Sequence, residues 1–138
     1  GPFHFGARVA TLSGEGSGMA RATGIGGLFF RTNDPEGLSA WYTRHLGVDM
    51  SSGVWMQEGG PTVFAPFRKD SDYFPADRQW MVNFRVDDLT TLLAELAKAG
   101  IAVEQRADWD GDGSYGYFAR IHDSEGNPIE LWQPPAAT

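Results

Sequence analysis

The stretch Gly116-Tyr-Phe-Ala-Arg-Ile-His-Asp-Ser-Glu-Gly-Asn-Pro-Ile-Glu-Leu-Trp132 alternates apolar and polar residues on either side of a polar break. A period of two is the pattern of a strand with one packed face, and the break from Asp123 to Pro128 holds the Gly, Asn and Pro that a tight turn uses. The stretch therefore reads as a hairpin. Pairing Ile121 with Ile129 across the turn puts Ile121, Ile129 and Leu131 on one face, and Arg120, His122, Glu130 and Trp132 on the other. One face packs, and the other carries polar chemistry.

Working outward, the same kind of unit occurs twice. Leu28-Phe29-Phe30-Arg31 reads as a strand, and Asp34-Pro35 as a helix start with Asp as N-cap and Pro at the first helical position. The helix is expected to run to about Leu46, burying Leu38, Trp41 and Tyr42, with Gly47 as its stop. Two short strands follow, Val54 to Gln57 and Thr62 to Phe67. A further strand, Trp80 to Val86, precedes a helix carrying Leu89, Leu92, Leu93 and Leu96 that ends at Gly100. Phe30-Arg31-x-x-Asp34 reappears as Phe84-Arg85-x-x-Asp88, an offset of 54 residues (88 − 34). This is an internal duplication of a β-α-β-β-β unit. Module one spans 24–67, the aromatic-rich linker 68–79 and module two 80–134.

The pattern D-x-x-G-N-x-I-E-L-W at Asp123 to Trp132 resembles the last hairpin of the vicinal oxygen chelate superfamily, which includes glyoxalase I, extradiol dioxygenases and bleomycin-resistance proteins. The resemblance covers about residues 24–134. It implies an α+β fold in which two β-α-β-β-β modules form a curved mixed sheet around a cavity, with the helices outside.

Size and composition agree with one such domain. The chain has 138 residues, 41% of them apolar and 13% aromatic, enough to build a core. No apolar run approaches the roughly 18 residues of a membrane helix. A net charge of −7 speaks against nucleic acid as a partner, and with no cysteine there is neither a disulfide framework nor a thiolate site. Cytoplasm is the default compartment. Gly1-Pro2 and the run Gly14-Glu15-Gly16-Ser17-Gly18 read residues 1–18 as a leader left by tag removal, or as a disordered tail, before a domain from Met19 to Thr138. His4 carries no functional weight.

The superfamily's metal ligands, as the resemblance implies them, come from the first and last strands of each module: His, His or Gln, and Glu. The family spacing places the first-strand ligands at Gly27 and Met81, of which one has no side chain and the other is a soft thioether. Thr62 to Phe67 offers no carboxylate. Glu130 alone survives of the set, so no cofactor is expected, with a divalent metal kept as the alternative. Asp108, Asp110, Asp112 and Gly113 match the start of a calcium loop, but its twelfth position falls on Ala119, and a hairpin tip with solvated acids is the expected reading.

Two readings of Glu130 stand side by side. In the first, Arg120 pairs with it as a structural ion pair. In the second, Glu130, as a candidate catalytic group, joins the ligand-binding candidates Asn83, Arg85, Arg120 and His122 in a cavity walled by Phe29, Met81, Phe118 and Trp132. His45 reads as a helix-end residue facing the dipole. Rings beyond the needs of the core, Trp55, Phe64, Phe67, Tyr73, Phe74, Trp80, Trp109, Tyr115 and Tyr117, suit a flat ligand, and Trp55 or Tyr73 on an edge suits an interface. The function expected is a metal-free, bleomycin-resistance-type protein, homodimeric, that binds a small organic ligand of a class that includes aromatic ones. The alternative is a glyoxalase-like lyase, isomerase or dioxygenase with an atypical ligand set, or an enzyme using Glu130 as general base. A third class acts through protein contacts.

Overall fold

The structure is a computed structural model and describes residues 20–136; the reading of residues 1–18 and the start at Met19 lie outside them. Three helices and three strands follow in the order α1 (Pro35–Leu46), β1 (Val82–Arg85), α2 (Leu89–Lys98), α3 (Ala107–Asp110), β2 (Tyr117–His122) and β3 (Pro128–Gln133). Among the described residues, no helix is long and apolar enough to cross a membrane.

The hairpin forms in the expected register, with Ile121 opposite Ile129 and Arg120 opposite Glu130. Asp123 organises its turn: Oδ1 accepts from the backbone N–H groups of Glu125 and Asn127, each at 2.9 Å, and Oδ2 accepts from Asn127 Nδ2 at 2.8 Å. Strand β3 is central, antiparallel to β2 and parallel to β1, which makes a small open mixed sheet. Gly116 enters β2 at φ 95°, and a Cβ there would meet the Gln133 carbonyl oxygen at 2.1 Å. Only glycine fits this crossing.

Both helices start as the repeat predicts. Asp34 caps α1 by accepting from Gly37 N at 3.0 Å, and Asp88 caps α2 by accepting from Thr91 N at 3.1 Å, with nearly the same backbone angles. Leu89, Leu93 and Leu96 lie on one face of α2 and join Leu38 and Tyr42 of α1 against Ala119, Ile121, Ile129 and Leu131. Burying a Leu or Ile side chain contributes about 1.5–3 kcal/mol, so this layer holds the helices to one side of the sheet. Tyr42 is the keystone: its ring meets Phe30 at 6.1 Å and the repeat-equivalent Phe84 at 6.0 Å, and its hydroxyl donates to Asp123 Oδ2 at 2.7 Å. Burial, and then that hydrogen bond, hold the Tyr42 phenol far above its usual range, so it stays a donor.

The strands expected at 28–31, 54–57 and 62–67 have no regular secondary structure, and the strand expected from Trp80 is limited to Val82–Arg85. The reason is packing. Phe29, Met56 and Phe64 are 88%, 84% and 84% exposed, so no layer rewards a ladder there. The loop from Asp108 is no hairpin tip but a single helical turn at Ala107–Asp110, with Asp110 accepting from Phe118 N and Asp112 from Ser114 N, both at 2.9 Å.

Candidate functional site

The face of the sheet opposite the helices carries one polar row, Asn83–Glu130–Arg120, set by the register of the three strands. Glu104 extends it through a single bridge to Arg120. Glu130 is 2% exposed, in the middle of the central strand. One of its carboxylate oxygens accepts from Asn83 Nδ2 at 2.8 Å, and the other from the Tyr73 hydroxyl. Burial pushes the carboxyl above its ordinary value; the bonds from Tyr73 and Asn83 and the nearby Arg120 charge pull it back only in part. Burial, and then the Glu130 charge, keep the Tyr73 phenol protonated.

Arg120, 7% exposed, donates from Nη2 to the Tyr73 carbonyl at 2.9 Å. Its guanidinium carbon lies 5.3 Å from the ring centroids of both Tyr73 and Trp109, which meet edge to face at 6.2 Å. The ion pair expected between Arg120 and Glu130 does not form: among the described residues the ion pairs join Arg68 to Asp70, Arg78 to Asp77 and Arg106 to Glu104. The guanidinium leans instead over the rings, toward the segment containing Tyr73.

Of the remaining sequence candidates, Phe118 and Trp132 stack in parallel at 6.3 Å on the same face, and Trp132 Nε1 donates to the Tyr115 carbonyl at 2.7 Å. They are packed rather than lining open space. Arg85 donates to the Glu58 carbonyl at 2.9 Å and to Thr62 Oγ1 at 3.1 Å, clamping the 58–62 segment to the end of β1. Met81 is half-buried just before β1, and His122 is exposed at the end of β2. Phe29 stands in the open, apart from the row. His45 sits in the last turn of α1 and packs on Trp41 at 5.0 Å.

Tyr73 and Trp109 are the residues that sequence reasoning left unplaced. Both count as surplus rings in the sequence, but one lies in the linker and the other in the four-residue helical turn α3, where periodicity gives no position. The linker segment, in which Phe67 meets Tyr73 at 5.7 Å and Phe74 at 5.6 Å, is a strap over the polar row. Two cavities, of about 620 Å³ beside α1 and about 170 Å³ at the start of α2, do not include Glu130. Tyr73 occupies the space above it.

The donor set around Glu130 does not fit the superfamily's metal ion. Its oxygens are engaged by an amide N–H and a phenol, its lateral neighbour is a cation, and no three His, Asp or Glu side chains gather among the described residues. What the row can do is hold a buried proton-accepting group and a guanidinium side by side under an aromatic cover.

Residues 27–132 match the family model of the glyoxalase-like domain. No curated protein matches the chain. Among solved structures it is similar to TnmS3, an antibiotic binding protein from Streptomyces sp. CB03234, at 25% identity and a TM-score of 0.47, over 75% of this chain and 89% of that one. With the family model covering the hairpin, both helices and the polar row, the chain belongs to the glyoxalase-like domain family of the vicinal oxygen chelate superfamily.

Proposed function

We propose that this domain binds a planar organic molecule, in the manner of the bleomycin-resistance type and without the superfamily's metal. The observation that carries the reading is the Arg120 guanidinium over the Tyr73 and Trp109 rings beside buried Glu130. An aromatic surround with few converging polar groups is how small organic ligands are held. The ligand would take the place of the Tyr73 strap against Trp109 and the row beneath it.

The finer architecture we propose is two modules, 24–67 and 80–134, whose strands complete a curved sheet. The matched caps at Asp34 and Asp88 support it, as does the contact of both Phe30 and Phe84 with Tyr42. The exposed Phe29, Met56 and Phe64 of the first module support a homodimer in which a second copy covers them.

The test is titration with planar aromatic compounds, followed through the indole N–H resonance of Trp109. Saturable shifts that Tyr73→Ala changes in affinity are expected; a Trp109 signal indifferent to every compound would remove the reading. One metal ion per chain retained through dialysis and lost in Glu130→Ala would overturn the metal-free part. A second reading, an enzyme using Glu130 as general base, draws on the raised proton affinity of that carboxyl. It requires turnover that Glu130→Gln abolishes.

A further inference from the structure

We propose that the ligand carries a carboxylate on its aromatic body and that Arg120 Nε is the group that receives it. This rests on the reading of the Glu130 face as the binding site and names the chemistry that face selects.

Arg120 Nε is buried and has no hydrogen-bond partner. A guanidinium has five N–H groups in a rigid plane, and leaving one of them dry and unpaired is costly. The carboxylates nearest in the row are already engaged. Glu130 receives Tyr73 and Asn83, and Glu104 on the other side of Arg120 is held by Arg106 at 3.0 Å. Arg120 donates instead to the neutral carbonyl of Tyr73. A nine-tenths buried cation thus makes no direct ion pair among the described residues, and the Glu130 charge acts on it only from its place in the row.

The geometry narrows the anion. Repulsion from Glu130 beside Arg120 grows with the charge of the ligand, which disfavours a dianion more than a monoanion, and a planar carboxylate matches the guanidinium edge. Trp109 beside the guanidinium supplies the flat apolar surface for the ring that bears it. Nε lies beneath the Tyr73 strap, which two hydrogen bonds hold to the row, one to Glu130 and one from Arg120. The incoming carboxylate exchanges with the Tyr73 carbonyl on Arg120 and takes up the idle Nε–H.

The experiment compares two probes of the same shape, 2-naphthoate and 2-naphthamide, titrated into the full chain and into Arg120→Met. The expected result is that naphthoate binds at least about tenfold tighter than naphthamide, and that Arg120→Met abolishes this preference. Equal binding of the two probes, or a preference that survives in Arg120→Met, overturns the proposal and leaves the broader reading of an aromatic-binding face intact. Failure of both probes to shift Trp109 overturns both. Should Arg120→Met not fold, the Nε–H resonance of Arg120 in the unaltered chain decides. It is expected to move with naphthoate and stay with naphthamide; the same response to both refutes the assignment.

Discussion

Replacing Tyr73 by Phe removes one hydroxyl and keeps the ring that Arg120 lies over. That hydroxyl donates to Glu130, so the cost of its loss depends on whether Glu130 is charged. A hydrogen bond to a charged group contributes about 1.5–3 kcal/mol and one between neutral groups about 0.5–1.5 kcal/mol. Tyr73 is half-buried, which favours the lower end of each range. In the folded chain burial holds the Glu130 carboxyl above its ordinary value, so the folded state keeps a proton that the unfolded chain has released. Stability from this group therefore falls as pH rises from the ordinary carboxylate value to the folded one, and the penalty is complete above it. The Tyr73 bond opposes that penalty by favouring the carboxylate. Tyr73→Phe is expected to cost about 1.5–2 kcal/mol at a pH where the folded Glu130 is ionised and about 0.5–1 kcal/mol below the ordinary carboxylate value, where it is protonated. Urea unfolding of both proteins at the two pH values measures the difference. Equal losses at both would refute the coupling between the strap and a titrating Glu130.

Two further substitutions examine the frame that holds the row. Tyr42→Phe removes the buried hydroxyl from Asp123 but leaves that carboxylate its three turn contacts, so a loss of about 1–3 kcal/mol in urea is expected, with faster amide exchange at Gly126 and Asn127; an unchanged midpoint would show that the hydroxyl does not tie α1 to the hairpin. Gly116→Ala sets a Cβ against the Gln133 carbonyl at a positive φ, with an expected loss of about 2–3 kcal/mol or more, read as a lowered melting temperature. A melting temperature equal to that of the unaltered chain would mean that β2 begins elsewhere.

What was legible in the sequence is what periodicity and capping chemistry specify. The hairpin register follows from alternation, because a slip by one residue would turn Ile121 and Ile129 out of the core. Helix starts follow from Asp34 and Asp88, whose side chains have one local task, the orphan N–H groups of the first turn. The polar row was legible too, as far as Asn83, Arg120 and Glu130. Its partners were not. Tyr73 is 57 residues from Glu130 in the chain, and nothing local to Asp72-Tyr73-Phe74 marks a tertiary hydrogen bond. The ion pair of Arg120 with Glu130 was inferred from adjacency in the ladder, but adjacency fixes the Cα positions and leaves a long side chain free to choose rings and a carbonyl instead. The strands expected at 28–31, 54–57 and 62–67 hold aromatic and β-branched residues, whose strand preference reflects packing against a neighbouring layer rather than a property of the isolated backbone.

The position of Glu130 explains why a polar row forms here at all. It lies on the central strand, with a ladder neighbour on either side: Asn83 on the parallel side and Arg120 on the antiparallel side. Two ladders thus fix the row to the spacing of a sheet, while Tyr73 arrives from an irregular segment and Trp109 from the single turn of α3. The strands fix the spacing of the row, and Tyr73 and Trp109 cover it. A shift of β1 by one residue would put Val82 or Phe84 beside Glu130 in place of Asn83. The buried carboxylate would then lose a donor on one side while the core lost an apolar residue on the other, so the register that packs the core is also the register that assembles the site.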